Sequence, residues 1–396
     1  GSYNTGIGYE ALKQNTTGSS NSAFGSTALD ANTTGSNHTA IGVGALGACT
    51  TGQSNTAVGQ ASLSSLTTGQ DNTAVGRAAL VSCNGDRNTG LGYYAGQSIS
   101  TGTDNTVIGY NAAIAITTAI QNTAIGALAA DALTTGNYNT AVGYNAMSAA
   151  TTGTFNMAFG NQAMGGGVVT GTRNTACGNS ALYDLTTGSD NIAIGYDASA
   201  NITTGGSNIA VGRGALDACT TGDLNVAIGH QALSAQTGQG YNTAVGGNSM
   251  QANNGGNYCV AVGRQSLYAN TTGSENTAVG YDALLSNTTG SHNTAIGHDA
   301  GKGITTGSYN TCLGRDAGQS ITTGSNNLCL GENSNDAGNT TGVIALGSFS
   351  LSANTADYNV AIGYFAGRLN TSGTSNTALG ANALEVHTTG AYNTAV

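Results

Sequence analysis

A glycine that follows an apolar residue returns along the whole chain at a nearly fixed spacing, from Ile7-Gly8 to Leu379-Gly380. There are 23 such glycines, and the spacing is 17 residues except for three gaps of 16 and one of 18. A period in this range is typical of a solenoid, in which one short supersecondary unit is stacked on itself many times. The sequence therefore predicts a single continuous repeat domain over residues 1–396, an excerpt of a longer array without native caps.

The repeat unit predicts β-structure. Written from its asparagine, it is N-T-A-[VI]-G-Y-x-A-L-x-x-x-T-T-G-S-x. The first five positions are poor helix formers, and a helical repeat would need about 33 residues or more. Two short strands and two turns fit into one unit, with the Thr-Thr-Gly glycine at a positive φ. We therefore expect an all-β parallel β-solenoid (β-roll) with about 23 coils of 17 residues.

The second and fourth positions of the repeat are expected to face the interior. The fourth is apolar throughout, the second is Thr, Ser or apolar, and both lie on one face of a strand. The third and fifth positions, alanine and glycine, should then pack closely against another copy of the chain. This close-packed face comprises Ala57, Gly59, Ala74, Gly76, Ala278 and Gly280. The alternative is that alanine and glycine only suit a tight bend after the strand.

Two kinds of side-chain file accompany the strand. The asparagines of the first position are predicted to form a ladder in which each amide bonds to the rungs above and below. Its members include Asn55, Asn72, Asn105, Asn122, Asn139, Asn191, Asn276 and Asn293. Tyrosines recur on both flanks of the strand, and the candidate surface aromatics are Tyr110, Tyr144, Tyr196 and Tyr281. Exposed aromatics favour interfaces, but these tyrosines would equally shield strand edges or seal a seam between protomers.

Composition argues against nucleic-acid and membrane functions. Only 7% of the residues are charged, the net charge is −10, and the nine lysines and arginines are scattered singly. A nucleic-acid partner would require a basic patch or stripe. No apolar run approaches the roughly 20 residues that span a bilayer. We therefore expect neither nucleic-acid binding nor membrane insertion of this segment.

No catalytic, cofactor or metal site is predicted. The segment Gly42–Gly47 matches the dinucleotide-binding pattern G-x-G-x-x-G, but a turn follows it where that pattern requires a helix. His292 and His298 lie near Asp299 in the sequence. They would flank one strand, which places them too far apart to share a metal. We therefore expect no enzyme, no cofactor and no metal.

The cysteines are expected to act as small apolar packing residues. Cys312 and Cys329 share one repeat position, so they should stack on adjacent rungs. In-register parallel stacking aims both side chains the same way, which is poor geometry for a disulfide. A disulfide remains the alternative, and the redox compartment stays open.

The run N-T-A-[IV]-G-x-x-A resembles the head repeat of YadA-type trimeric autotransporter adhesins, and similar arrays occur in phage tail-fibre proteins. The resemblance covers the whole chain and rests on this one short motif. It implies left-handed parallel β-rolls in which three chains pack side by side. The chain departs from the family in its period, because the adhesin repeat is nearer 14 residues. The 396 residues also contain no coiled-coil stalk, membrane anchor or chaperone domain.

These observations together predict a homotrimeric structural fibre outside a cell or virion. It would be an adhesin head, a phage tail fibre or a filament body that attaches to surfaces through repeated weak contacts. The expected partners are further copies of the chain, including end-to-end filament growth, and a host surface or glycan receptor. The alternative is a soluble binding module such as an ice-binding solenoid, which needs a flat file of outward threonines. Thr39, Thr56 and Thr73 form a file, but apolar replacements at their position predict that it faces inward.

Overall fold

The computed structural model describes residues 1–396 and shows an all-β parallel β-solenoid of about 23 turns. The prediction of an all-β parallel β-solenoid is thereby confirmed. None of its elements is an apolar helix of the length that a membrane span requires. The chain divides into two compact units, Gly1–Thr204 and Gly205–Val396.

The first unit contains strands β1 to β12, each three residues long. They are β1 Thr5–Ile7, β2 Ser22–Phe24, β3 Thr39–Ile41, β4 Thr56–Val58, β5 Thr73–Val75, β6 Thr89–Leu91, β7 Thr106–Ile108, β8 Thr123–Ile125, β9 Thr140–Val142, β10 Met157–Phe159, β11 Thr175–Cys177 and β12 Ile192–Ile194. Neighbouring strands pair in parallel, and equivalent repeat positions lie opposite each other. In β3 and β4, for example, Thr39 pairs with Thr56 and Ala40 with Ala57.

The second unit contains strands β13 to β24. They are β13 Ile209–Val211, β14 Val226–Ile228, β15 Thr243–Val245, β16 Val260–Val262, β17 Thr277–Val279, β18 Thr294–Ile296, β19 Thr311–Leu313, β20 Leu328–Leu330, β21 Ile344–Leu346, β22 Val360–Ile362, β23 Thr377–Leu379 and β24 Thr394–Ala395. Their pairing is again parallel, and alanine stacks on alanine, as Ala278 of β17 does on Ala295 of β18.

The Ala-Leu segment of the repeat forms turns and not the expected second strand. Leu46 and Leu63 have φ angles of 53° and 49°, in the left-handed region, which a continuous strand does not contain. The turns still bond from one coil to the next: the Leu46 N–H donates to the Ser62 carbonyl at 3.0 Å. The prediction of two strands per coil was therefore wrong, because the turn backbone satisfies itself against the next turn without extended geometry.

The glycine of Thr-Thr-Gly is required by close packing and not by its φ angle. Gly52 does not adopt the positive φ that the sequence analysis expected. A Cβ at this residue would lie 2.4 Å from the Gly69 carbonyl oxygen of the next coil. The coils of Gly52 and Gly69 therefore approach each other too closely for a side chain at Gly52, whereas Ala119 and Gln239 occupy the equivalent position in other coils.

The solenoid core is built from the alanines of the strand and the leucines of the turn. Ala57, Leu63, Ala74 and Leu80 are fully buried. Gly90 stands at an alanine position, and a Cβ there would lie 2.7 Å from Cγ of Leu80. The space between the strand and the turn leucine therefore holds only a small side chain.

The predicted orientation of the two strand faces was wrong. The predicted outward alanines, Ala57, Ala74 and Ala278, are fully buried inside their own chain. Because side chains alternate across a strand, the second and fourth positions point outward. Ile41, at a fourth position, is 41% exposed. The sequence analysis placed the larger apolar residue inside, whereas the leucines of the turn already fill the core.

The glycines of the predicted face pack closely, but against their own chain. A Cβ at Gly59 would lie 2.5 Å from the Gly76 carbonyl oxygen, and one at Gly280 would lie 2.4 Å from that of Gly297. The residues predicted to contact another copy therefore contact the next coil of the same chain.

Candidate interaction surface

The outward face of the strands carries a file of apolar side chains, which we call the apolar ribbon. It consists of the fourth-position residues together with the second-position residues that are not threonine or serine. Its exposed members include Phe24, Ile41, Val75, Phe159, Ile192 and Ile194 in the first unit, and Ile209, Ile228, Val260, Val262, Ile296, Ile344 and Ile362 in the second, with exposed fractions from 36% to 56%. In-register pairing stacks them directly, since Val262 lies opposite Val279 and Val279 opposite Ile296.

The ribbon is large enough to matter for association. Twelve strands about 4.8 Å apart extend for about 50 Å in each unit, and a width of about 10 Å gives roughly 500 Å². The largest apolar patch of a typical monomeric protein covers about 300–600 Å² and is often a functional surface. The apolar ribbon is therefore the candidate interaction surface.

Exposed aromatic rings flank the ribbon. The predicted surface aromatics Tyr110, Tyr144, Tyr196 and Tyr281 are 43% to 55% exposed. Rings of successive coils stack: the centroids of Tyr138 and Phe155 are 4.7 Å apart, and those of Tyr241 and Tyr258 are 5.1 Å apart. Each stack covers part of its own ring faces, so the flanks present ring edges and hydroxyl groups beside an apolar centre.

Ion pairs take the place of aromatic stacks elsewhere on the same flank. Arg87 contacts Asp104 at 2.6 and 3.0 Å, and Arg173 contacts Asp190 at 2.6 and 2.9 Å. Each arginine lowers the pKa of its aspartate through these hydrogen bonds. These pairs are exposed, so they contribute little to stability but keep the rim of the ribbon polar.

A ladder of buried asparagines lies directly before the ribbon in each repeat. The Asn72 N–H donates to Oδ1 of Asn55 at 2.9 Å, and Nδ2 of Asn72 donates to the Gly85 carbonyl at 2.9 Å. The eight asparagines named from the sequence are at most 2% exposed: Asn55, Asn72, Asn105, Asn122, Asn139, Asn191, Asn276 and Asn293. Each side chain thus joins two coils, and this fixes the register of the strands that carry the ribbon.

His38 replaces an asparagine in this ladder. Its Nε2 lies 2.8 Å from the Gly52 carbonyl, and its Nδ1 accepts the Asn55 N–H at 3.2 Å. Nε2 therefore carries the ring proton and Nδ1 carries none, so the ring is neutral. Burial lowers the pKa of His38, although the two backbone hydrogen bonds oppose that change. The neighbouring Cys49, 3.7 Å from Nε2, stays a neutral thiol because burial raises its pKa to about 11.

We expect His38 to make the first unit less stable in acid. The unfolded chain protonates histidine at its ordinary pKa, near 6.5, more readily than the folded chain does. This part of the stability is therefore complete above that pH and is lost as the pH falls toward the lowered pKa of the folded state. The measurement is the thermal midpoint between pH 7.5 and 4.5, for which His38→Asn should show a weaker pH dependence than the unmodified chain. The exposed His230, changed to asparagine, is the control; equal slopes for His38→Asn and the unmodified chain would contradict the expectation.

Six of the seven cysteines line the interior. All seven are free, and only Cys177 is exposed. Cys312 and Cys329 lie opposite each other in β19 and β20, at the position that alanine occupies in most coils. Burial raises the pKa of Cys83 and Cys219 to about 11, so these thiols remain protonated.

Comparisons with known proteins give no relative. No family model matches the chain, and no curated protein matches it. The class of protein is thus defined by the fold, a parallel β-solenoid repeat protein with an outward apolar ribbon. The resemblance to YadA-type adhesin heads stays a prediction that rests on the repeat motif.

Proposed function

We propose that this chain is the protomer of a homotrimeric structural fibre, outside a cell or virion, whose 17-residue coils associate side by side. The observation that carries the proposal is the apolar ribbon, which a single chain leaves in water along both units. Packing three ribbons together would remove these side chains from water and leave the polar rims outside. The number three comes from the resemblance to the adhesin heads.

The composition of the remaining surface fits a fibre that acts through many weak contacts. With 7% charged residues, the chain offers mainly hydroxyl and amide groups, repeated once per coil. Identical weak sites on one rigid support bind a surface with an avidity that grows with their number. An adhesin head, a tail fibre and a filament body all use this principle, and catalysis forms no part of the proposal.

The triple variant Val262→Lys, Val279→Glu and Ile296→Lys tests the proposal. Within one chain, the alternating charges on adjacent strands attract each other, so the monomer should stay folded. In a side-by-side homotrimer each charge meets its own copies on the partners, and like charges at close range oppose association. We expect sedimentation equilibrium to show a fall in mass toward the monomer, with an unchanged circular dichroism spectrum.

A matched control places the same charges in the same coils but away from the ribbon. Thr272→Lys, Thr289→Glu and Thr306→Lys change three exposed residues of the Thr-Thr-Gly corners. This control should keep the mass of the unmodified chain. If the ribbon variant also keeps that mass, the ribbon is not the interface and the proposal fails.

Ice binding is a second candidate, because the threonine file faces outward. Thr39, Thr56 and Thr73 are half-buried on the outer strand face, beside the ribbon residues. These threonines were expected to face inward. That expectation was wrong because the leucines of the turn and the alanines of the strand fill the core, so the second position of the repeat points outward. A file of outward threonines on flat, regularly spaced strands is the arrangement that an ice-binding solenoid needs.

One surface cannot serve both functions, since a ribbon covered by partners is closed to ice. Thermal hysteresis, measured on the same samples as the mass, therefore separates the two candidates. A monomer with strong hysteresis would favour ice binding, and a trimer without hysteresis would favour the fibre.

A further inference from the structure

A cluster of ligand-type side chains lies on one flank of the second unit. His298, Asp299 and Asp316 each offer one ligand atom, and these atoms lie within 4.8 Å of one another. His298 and Asp299 follow strand β18, and Asp316 occupies the position of Asp299 after strand β19. This group was not predicted from the sequence, because Asp316 lies one full repeat beyond Asp299.

The cluster carries more negative than positive charge. Asp282, Asp299 and Asp316 share one position in three successive repeats, and Asp336 lies close enough to Asp316 to feel its charge. The cations are Lys302, at 3.3 Å from Asp282 and 3.2 Å from Asp299, and Arg315, at 3.1 Å from Asp316. Arg315 also contacts Glu332 at 3.5 Å, so the carboxylates around the cluster outnumber its two cations. Like charges that stack in successive coils repel each other, so a bound cation would stabilise this stack.

Two carboxylate oxygens at the cluster have no partner in the protein. Asp282 is 7% exposed, and its Oδ1 forms no hydrogen bond. Its other oxygen contacts Lys302, the lysine that also contacts Asp299, so Asp282 borders the cluster. Asp336 Oδ1 is likewise buried without a partner. These oxygens can accept a hydrogen bond or bind a cation, as can the equivalent unpartnered oxygens of Asn248 and Asp131 in other coils.

The two carboxylates of the cluster are held together by a neutral group. Nε2 of Gln319 lies 3.4 Å from Asp299 Oδ2 and 3.3 Å from Asp316 Oδ1. Both distances are long for hydrogen bonds, and an amide adds no charge. Gln319 therefore positions the two carboxylates without neutralising them.

We propose that His298, Asp299 and Asp316 bind one divalent transition-metal ion of the Zn²⁺, Co²⁺ and Mn²⁺ class. One imidazole nitrogen with two carboxylate oxygens suits these ions, whereas Ca²⁺ and Mg²⁺ prefer oxygen ligands alone. Three protein ligands leave a position for water. The ion would remove the charge excess and join two successive coils. This site is independent of the proposed fibre function.

The test is a titration of the full chain with Co²⁺, monitored by visible absorption. A competition titration with Zn²⁺ is then carried out on the loaded chain. We expect saturation at one ion per chain. The double variant Asp299→Asn and Asp316→Asn should lose at least about tenfold in affinity, because even residues one step removed from a metal cost 10- to 100-fold when changed. This variant should fold normally, since Asn248 and Asn333 occupy the same repeat position with left-handed φ angles of 57° and 53°.

Two histidine variants complete the experiment. His298→Gln should shift and weaken the visible band of bound Co²⁺ and lower its affinity, because one ligand is lost. His292→Gln is the control, because His292 pairs with Glu275 at 3.2 Å and stacks on Tyr309, outside the cluster. The proposal is overturned if the unmodified chain shows no saturable binding, or if the aspartate double variant binds Co²⁺ as tightly while its circular dichroism shows the native fold.

Discussion

Replacing Gly246 with alanine is expected to lower the free energy of unfolding of the second unit by about 2–6 kcal/mol. Gly246 has a φ angle of 132°, which residues with a side chain rarely adopt, at about 1–3 kcal/mol. Its new Cβ would also lie 2.5 Å from the Gly263 carbonyl oxygen and 2.6 Å from the carbonyl carbon. Both atoms belong to the backbone of the next coil, so relief requires the two coils to separate, at about 1–3 kcal/mol more.

The neighbouring glycine provides the control. A Cβ at Gly247 meets nothing within 4 Å, and Gly247 has no positive φ. Gly247→Ala should therefore change stability by less than about 0.5 kcal/mol. The measurement is urea unfolding followed by circular dichroism, with hydrogen exchange at the Gly263 N–H, which donates to the Val245 carbonyl at 2.8 Å. Equal stability of the two alanine variants would refute this explanation of the repeated glycine.

Removing one rung of the asparagine ladder is the second change with a large expected effect. Asn293 is fully buried; its Nδ2 donates to the Gly307 carbonyl at 2.8 Å, and its Oδ1 accepts the Asn310 N–H at 3.0 Å. Asn293→Ala leaves both backbone groups buried and unpaired, at about 1–3 kcal/mol each. We therefore expect a loss of about 2–6 kcal/mol, measured by the same urea titration.

The exposed Asn161, changed to alanine, is the control for the loss of an asparagine as such. It should remain within about 0.5 kcal/mol of the unmodified chain. Asn293→Asp distinguishes the two roles of the amide, because an ionised carboxylate still accepts the Asn310 N–H but cannot donate to Gly307. If Asn293→Ala is no more damaging than Asn161→Ala, the ladder does not stabilise the fold.

The period of the repeat was sufficient to predict a parallel β-solenoid, because in-register stacking is the arrangement that pairs equivalent positions of so short a unit. The orientation of the strand was predicted wrongly, since hydrophobicity alone places valine and isoleucine inside. The composition of the core is instead determined by the small space between the strand and the turn, which the turn leucine largely fills. A single repeat does not reveal how small this space is.

The small size of this space is evident in the sequence when the third position of the repeat is compared with the position of the turn leucine. Val107, the largest residue at the third position, shares its coil with Ala113, where most coils have leucine. Cys312 likewise shares its coil with Gly318, and a Cβ at Gly318 would lie 2.7 Å from the Cys312 sulfur. Larger strand residues thus accompany smaller turn residues, which shows that both face the same interior.

The metal-ligand cluster escaped prediction for a related reason. Asp316 is one repeat away from Asp299, and only the stacking of β18 on β19 brings the two side chains together. Residues that are distant along one strand, such as His292 and His298, are separate, while residues one repeat apart are neighbours. Candidate sites in a solenoid are therefore found by comparing residues at equivalent positions of successive repeats.

The most direct test of the proposed function is the solution mass of the unmodified chain, measured by light scattering over a series of dilutions. The monomer has a mass of 38.8 kDa. We predict a mass three times that value which persists on dilution, because the apolar ribbons are then covered by their copies. A stable monomer at all concentrations would contradict the account, because the ribbon would remain in water and could not be a protomer interface.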